Sequence, residues 1–461
     1  MSCKACIYVF IFLLLLVNIT ESQTLTEDTG KKLITGGYIK GSFYYDLNRK
    51  KQTPLFSTGF SEASLKIETA NGNNFRAFSD LRFRYGSEFN NDINLIQLKE
   101  AYVSYSFAFF TVSAGQQIIK WGRTDFTNTF SKLNPQNYIS RSPDREDMDL
   151  GNILLSAKIT PLPFLDIQTV FVPYYRPSVL LIDPVPVPAG VEIKQMKAIV
   201  TNENMHSYGV RSVFYLKGTD IGFIWFEGYD PMPGIKLDSF NLDMAGQPPA
   251  FSTTLSVRPY KTRVVGFDFE TVTGRFGLRG EVSYSFPYQD SRIYEYVPMP
   301  EARFVFGSDF NYGNWRIFAE YAGKYIPRFF PSIAEPIIGI EPDYQKLAML
   351  IMQPGFDIQE YVREQTGSLN RLFNYQTHRI SHSASIRIEN EAAYGRIISS
   401  VFLSYNLTTG DMLFMPEVKL KPFDGTTLTF GTEIYSGRKG SLYRLINDFM
   451  ESIYVALRID F

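Results

Sequence analysis

The sequence predicts an all-β chain, a transmembrane antiparallel β-barrel of about 18 strands with long extracellular loops, one of them partly helical. Three observations predict it. Hydrophobic residues recur at every second position in segments of roughly 10–15 residues, longer than the strands of soluble sandwiches. The connections between segments sort into short and long sets that alternate along the chain. The chain ends in ESIYVALRIDF, whose apolar residues form one unbroken alternating stripe.

The elements follow in order. Residues 1–22 read as a secretory signal peptide: Lys4 near the amino terminus, an apolar run from Ile7 to Val17, then a polar exit. That run is too short to span a bilayer. Residues 23–34 are expected to be a short periplasmic segment and 35–461 the barrel. Cys3 and Cys6 both fall in the leader, so disulfides and thiolate metal sites are excluded from the mature chain.

Strand periodicity is cleanest at FRAFSDLRFRY (75–85). Arg76, Asp80, Arg82 and Arg84 take one face there, opposite Ala77, Leu81, Phe83 and Tyr85. A helix would scatter these charges; a strand sorts them. Eighteen such segments start near Thr35, Phe56, Phe75, Ile93, Phe109, Leu150, Phe164, His206, Thr219, Arg258, Arg275, Met299, Asn314, His378, Tyr394, Asp411, Thr426 and Glu451. After every even-numbered segment comes a tight turn, such as ANGNN (70–74), KGTD (217–220), TGR (273–275) and FDGT (423–426). The long connections, 122–149, 176–205, 231–257 and 328–377, all fall at the alternate end. Short turns at one end and long loops at the other are the layout of an outer-membrane barrel.

In the last strand Val455, Leu457 and Ile459 lead to the terminal Phe461 on one face, while Arg458 and Asp460 take the other. This stripe is similar to the carboxy-terminal signal that the barrel-assembly machinery reads during insertion. Composition agrees with a barrel. Aromatics reach 15%, with 29 Tyr and 39 Phe, while mean hydropathy is only −0.12. Lys+Arg 46 against Asp+Glu 47 gives no basic footprint for nucleic acid.

The segment 98–138 resembles a motif of a bacterial outer-membrane porin-like family of largely unknown function, related in pattern to alginate-export-type channels. The matching residues are Lys99, Glu100, Ala101, Tyr102, Gly115, Gln117, Trp121, Gly122, Asn134 and Pro135. Gln116 departs from it, standing where the family usually carries arginine. The resemblance implies a porin-like barrel in the outer membrane of a diderm bacterium and names no substrate.

Trp121 suits the interfacial aromatic belt, and Gly122 permits the sharp departure of the loop that follows. That loop carries Arg123, Asp125, Arg141 and Arg145. It is expected to fold inward and line a constriction with the wall residues Arg82, Arg84 and Glu320, although dense charge is equally natural in a solvated surface loop. Two loops are apolar. In 176–205 the run PSVLLIDPVPVPAGVEI has prolines that oppose a regular ladder. In 328–377, DYQKLAMLIMQ and FDIQEYVREQ look helical, with Tyr344, Leu347, Ala348 and Ile351 on one face. They suit either a cap on the barrel mouth or a surface gathering a hydrophobic solute.

Enzyme chemistry is not expected. His206, His378 and His382 lack a serine two residues on, as barrel hydrolases require, and the last two lie about 13 Å apart along a strand, too far for one metal. No cofactor is expected. The reading is therefore a channel or uptake porin for a small solute, as a monomer or homotrimer. The alternative is a non-conducting surface adhesin or structural barrel.

Overall fold

The computed structural model describes residues 31–48, 56–72, 74–180, 187–202, 204–243, 250–332, 334–338 and 349–461. The signal peptide and most of the 23–34 segment lie outside them, as do Tyr344, Leu347 and Ala348. Eighteen strands form one closed antiparallel barrel. They are β1 (Lys31–Asp46), β2 (Thr58–Asn71), β3 (Phe75–Glu88), β4 (Asn91–Phe107), β5 (Phe110–Gln117), β6 (Asn152–Leu162), β7 (Leu165–Val172), β9 (Ser207–Leu216), β10 (Thr219–Tyr229), and β13 (Lys261–Thr273) through β21 (Ser452–Asp460). The intervening β14 to β20 are Phe276–Pro287, Glu301–Tyr312, Trp315–Tyr325, Ile380–Ala392, Ile397–Asn406, Met412–Leu420 and Thr426–Ser436. Each strand start lies within a few residues of its expected position. β1 begins at Lys31, so part of the expected periplasmic segment belongs to the wall.

Closure comes from the pairing of β1 with β21, which sets Val455 beside Phe43 and Ile459 beside Ile39. Register then assigns every side chain to a face. On β1, Tyr38, Lys40, Ser42 and Tyr44 point inward and are buried, whereas Ile39, Phe43 and Tyr45 point out and are exposed. Phe223, Val282, Phe306, Ile453 and Leu457 are each about half exposed on the same outer surface. An apolar band of this extent belongs in lipid, not water. Among the described residues no helix is long and apolar enough to cross a membrane.

The long loops do more than connect. β8 (Val191–Lys194), β11 (Gly234–Asp243) and β12 (Ala250–Arg258) form a separate three-stranded sheet. Two expectations are corrected here. The prolines of 176–205 do not prevent a ladder, because β8 begins after the last of them and pairs parallel to β12. The segment expected to open a wall strand at Arg258 instead ends β12, and the wall resumes at Lys261.

Helix α1 (Ile358–Phe373) packs on this sheet. Asp357 caps it by accepting from the Gln359 and Glu360 amides, a standard device for satisfying first-turn donors. Asn370 Nδ2 donates to the Ile235 carbonyl at 2.7 Å and its Oδ1 accepts from the Ile235 amide at 2.8 Å, so helix and sheet join as strands would. Leu180, Ile235, Leu255, Val257, Ile337, Ile338, Val362 and Leu369 make a hydrophobic core, with Leu445 and Phe449 of α2 (Leu442–Met450) against it. Burial is worth about 1.5–3 kcal/mol per large aliphatic. These side chains serve a folded cap, whereas Ile351 of the 328–377 loop stays exposed.

The terminal residue extends the seam ladder: the Gly37 amide donates to the Phe461 carbonyl at 2.9 Å, and the Phe461 amide returns to the Gly37 carbonyl at 3.1 Å. Phe461→Asp places a carboxylate at the end of the outward stripe. It should lower the amount of heat-modifiable barrel in outer membranes and leave unassembled chain behind. Normal levels on unheated gels would contradict a role for this stripe in insertion.

Candidate functional site

The 118–151 connection enters the barrel and crosses the lumen in two excursions. The first runs from Trp121 to Leu133, the second from Tyr138 to Asp149. Glu281, on the inner face of β14 and almost wholly buried, holds the first. Its Oε1 accepts from the Arg123 amide at 2.6 Å and the Thr124 amide at 3.0 Å, and its Oε2 from the Thr129 amide at 2.9 Å. The hydroxyls of Thr124 and Thr129 stand at 2.8 and 3.0 Å from the same carboxylate. A charged acceptor meeting several backbone donors is the strong form of hydrogen bond.

Expected constriction residues surround this turn. Arg123 bonds Asp268 at 2.8 Å and Glu270 at 2.7 Å on β13 and reaches Asp220 on β10 at 3.2 Å. Asp125 pairs with Arg279 of β14 at 2.7 Å. Glu320 of β16 accepts from the Asp125 and Phe126 amides at 3.2 and 3.1 Å.

The resemblance motif builds the stem of this loop. Asn134 Oδ1 accepts from the Ile119 amide at 3.0 Å and its Nδ2 donates to the Ile119 carbonyl at 2.8 Å, closing the stem side chain to backbone. The Pro135 carbonyl accepts from the Leu150 amide at 2.8 Å. Gln117 is buried at the end of β5 and accepts from Ser113 at 2.8 Å, and Gly115 presses close to the Ala101 carbonyl of β4. Gln116, the departure, donates to the Lys99 carbonyl at 3.2 Å beside the β4 bulge. Gly122 has φ of 103°, and a Cβ there would stand 2.6 Å from both Glu281 and Asn128.

The placement of Trp121 corrects the sequence expectation. It lies in the lumen, not in the interfacial belt, and donates to Gln168 at 3.0 Å. With Phe130 and Leu133 it packs against the inward residues Leu154, Val170, Val172, Ile224, Phe226 and Val264. Gly209 and Gly266 are the sockets: a Cβ would meet the Trp121 ring at 2.8 Å and the Phe130 ring at 2.0 Å.

The second excursion is bound to β1 and β3. Asp147 bonds Lys40 and Arg82, both at 2.6 Å, and Lys40 also faces Glu62 at 3.3 Å. Burial alone would raise the Asp147 carboxyl. Lys40 and Arg82 outweigh that, with hydrogen bonds from Lys40 and Ser142, and hold it well below the usual carboxylate range. Arg84 is buried, joining Glu62 at 2.6 Å, Glu88 at 2.8 Å and Ser140 at 2.9 Å.

Arg141 is buried too, donating to the Phe449 and Met450 carbonyls at 2.7 and 2.9 Å. It struts the loop against the end of α2, so its expected lining of the narrow point is corrected. Arg145 is exposed and lies 4.7 Å over the Phe402 ring of β18, beside Met415 of β19. Phe126, at the tip of the first excursion, meets the same ring at 5.0 Å. Both excursions therefore converge on Phe402.

Below this meeting point an open cavity of about 300 Å³ is lined by Pro143 and Asp144 and by the inner faces of β17–β21, including Arg387, Glu389, Glu417, Lys419 and Arg458. Sequence reasoning missed Phe402 and the anchoring part of Glu281. One signal was present: Phe402 is an aromatic at inward parity between Ser400 and Ser404. Among the described residues no cluster of His, Cys, Asp and Glu could hold a metal.

A family described as a protein of unknown function (DUF1302) matches residues 24–158, the part that includes the loop stem. None of the curated proteins matches the chain. Among solved structures, Pseudomonas aeruginosa OpdK with vanillate is similar at a TM-score of 0.52 and 8% identity, over 93% of this chain and 98% of that one. A BenF-like porin from Pseudomonas fluorescens Pf-5 gives 0.51 and 10%, over 95% and 99%. Acinetobacter baumannii OccAB4 gives 0.50 and 10%, over 95% and 99%. The chain thus has the fold of the 18-stranded outer-membrane porins.

Two outcomes follow for the loop. Glu281→Ala leaves buried amides without an acceptor, at about 1–3 kcal/mol each, and should raise hydrogen exchange over 122–129 while the wall strands stay protected. Asp147 is an acid with a depressed folded value. The stability it supplies is present above the free-aspartate value near 3.9 and is lost only as pH falls through the lower folded one. Cleavage of 138–149 by added protease should therefore stay flat from pH 8 to 5 and rise in Asp147→Asn. A rise in wild type across that range would contradict the latch.

Proposed function

We propose that this chain is an outer-membrane uptake channel for a small polar solute, with its narrow point where Phe126 and Arg145 meet Phe402. The observation that carries this reading is the double crossing of the lumen by 118–151. A loop that served only adhesion would gain nothing from projecting inward, whereas a wide barrel needs an internal obstruction to select solutes. The constriction residues divide the labour. Arg123, Asp125 and Glu320 hold the first tip from the β13–β16 side, and Arg82 and Arg84 hold the second from the β3 side. Arg145 is the charge left facing the passage.

Solute would descend along β17–β21, where the wall carries Arg387, Lys419, Lys421 and Arg458 against Glu389, Glu417 and Asp460. Mixed charge suits a polar solute with its own hydrogen-bonding groups. Vanillate, the molecule named with one of the similar barrels, is a reasonable first probe. The outer-membrane location is supported by the closed porin-type barrel and its apolar outer band. The likeness to alginate-export channels is one of motif pattern and adds no substrate.

Planar-bilayer recording tests the reading. Wild-type protein should give small, discrete conductance steps, and Phe402→Ala or Phe126→Gly should enlarge them several-fold with the barrel still assembled. Arg145→Glu should move ion selectivity toward cations, since positive charge at the narrow point is reversed. A silent wild type whose tip variants are also silent would favour the structural-barrel reading instead.

A further inference from the structure

The outer surface holds a charged site that channel function does not use. Strand register assigns an inner and an outer face to each residue of the wall. Leaving aside the first and last two residues of each strand, the outward positions among the described residues carry aliphatic, aromatic, small and neutral polar side chains, with two exceptions. These are Glu227 on β10 and Arg263 on β13, which are direct cross-strand partners. Lys261, the first residue of β13, points the same way and pairs with Tyr229.

These groups form one cluster. Arg263 donates to Glu227 at 2.8 and 2.9 Å and to the Tyr288 hydroxyl at 2.6 Å. Lys261 stands 3.3 Å from the other Glu227 oxygen, to which Tyr208 donates at 3.1 Å. Lys261 also lies 4.9 Å over the Tyr288 ring. One carboxylate against two cations leaves a net positive charge. The cations are the accessible members, with side chains 30% and 40% exposed against 9% for Glu227. Directly below on the same face come Trp225, Val265 and Tyr284, and then the lipid-facing Phe223, Phe267 and Val282.

We propose that Lys261 and Arg263, with Tyr208 and Tyr288, bind a phosphate of the glycolipid that fills the outer leaflet, lipid A being its membrane-embedded part. The site is at the long-loop end of the strands, just above the apolar band, which is the height of that headgroup. This placement rests on the outer-membrane reading given above. Arginine and lysine side by side supply a forked donor and a point charge to an anionic oxygen group. Glu227 holds both cations in place and prevents their repelling one another. Among the described outward positions away from the strand ends charge is otherwise absent, because an arginine or lysine facing lipid is costly at mid-membrane and far less so near the interface. A cation pair kept at the interface is consistent with an anionic partner there.

The test is native mass spectrometry of the detergent-solubilised protein with three probes: bis-phosphorylated lipid A, chemically dephosphorylated lipid A and phosphatidylglycerol. Wild-type protein should retain bis-phosphorylated lipid A under activation that strips the other two. Lys261→Gln/Arg263→Gln should lose that retention several-fold, and the lumen pair Lys419→Gln/Lys421→Gln should keep it. Heat-modifiable mobility reports assembly of each variant, and Lys261→Gln alone serves if the double variant does not assemble. Equal retention of dephosphorylated lipid A, or a wild-type-like double variant, would overturn the proposal. So would preferential retention of phosphatidylglycerol, or a variant that changes only the oligomeric mass, which would make the cluster a contact between copies. Conductance measured on the same preparations separates the two readings: a conducting barrel without lipid A retention loses only this site, and a silent barrel that retains lipid A loses only the channel.

Discussion

The grip of Glu281 on the turn from Arg123 to Thr129 is the constraint on which the interior depends. A carboxylate in a barrel wall faces two unfavourable alternatives, a low-dielectric burial or an exposed seat in the lumen. Here it is buried and satisfied by three backbone amides at once. Those amides belong to a turn that could not otherwise pair them, so wall and loop each solve the other's polar deficit. Gly122 is the necessary accomplice, since any side chain at its positive φ would strike that carboxylate.

From this anchor the lumen divides into unlike halves. Toward the long-loop end of β6, β7, β10 and β13 the inward residues Leu154, Val170, Val172, Ile224, Phe226 and Val264 are apolar, where Trp121, Phe130 and Leu133 cover them. Against β17–β21 they are charged and border open space. The first half is effectively protein core, where hydrophobic burial holds the loop stem. In the second half, water and solute keep the wall polar. An 18-stranded barrel thereby presents far less free cross-section than its strand number implies.

Above the barrel the long loops organise themselves by the same economy. α1 and the β8–β12–β11 sheet share a core that none could form alone, and Asn370 bridges their backbones. Arg141 links this layer to the constriction loop, because its guanidinium is spent on the carbonyls that end α2. Cap and constriction are therefore mechanically continuous through a residue whose charge looks, in sequence, like that of its neighbour Arg145.

Strand number, turn positions and the outward stripe were all legible in the sequence, because a strand sorts its side chains by parity and a bilayer tolerates only one kind of residue on its face. Parity also marked Arg82, Arg84 and Glu320 as inward. What parity cannot state is what an inward residue meets. The burial of Trp121, the split between strut Arg141 and lumen-facing Arg145, and the meeting of Phe126 with Phe402 all join residues far apart in sequence. Only the closed barrel, by bringing β5, β14 and β18 around one lumen, decided them, since those contacts are set by how a loop crosses a space that no local pattern describes. The small sheet escaped for a related reason: β8 is only four residues long, and its partner β12 is supplied by another loop.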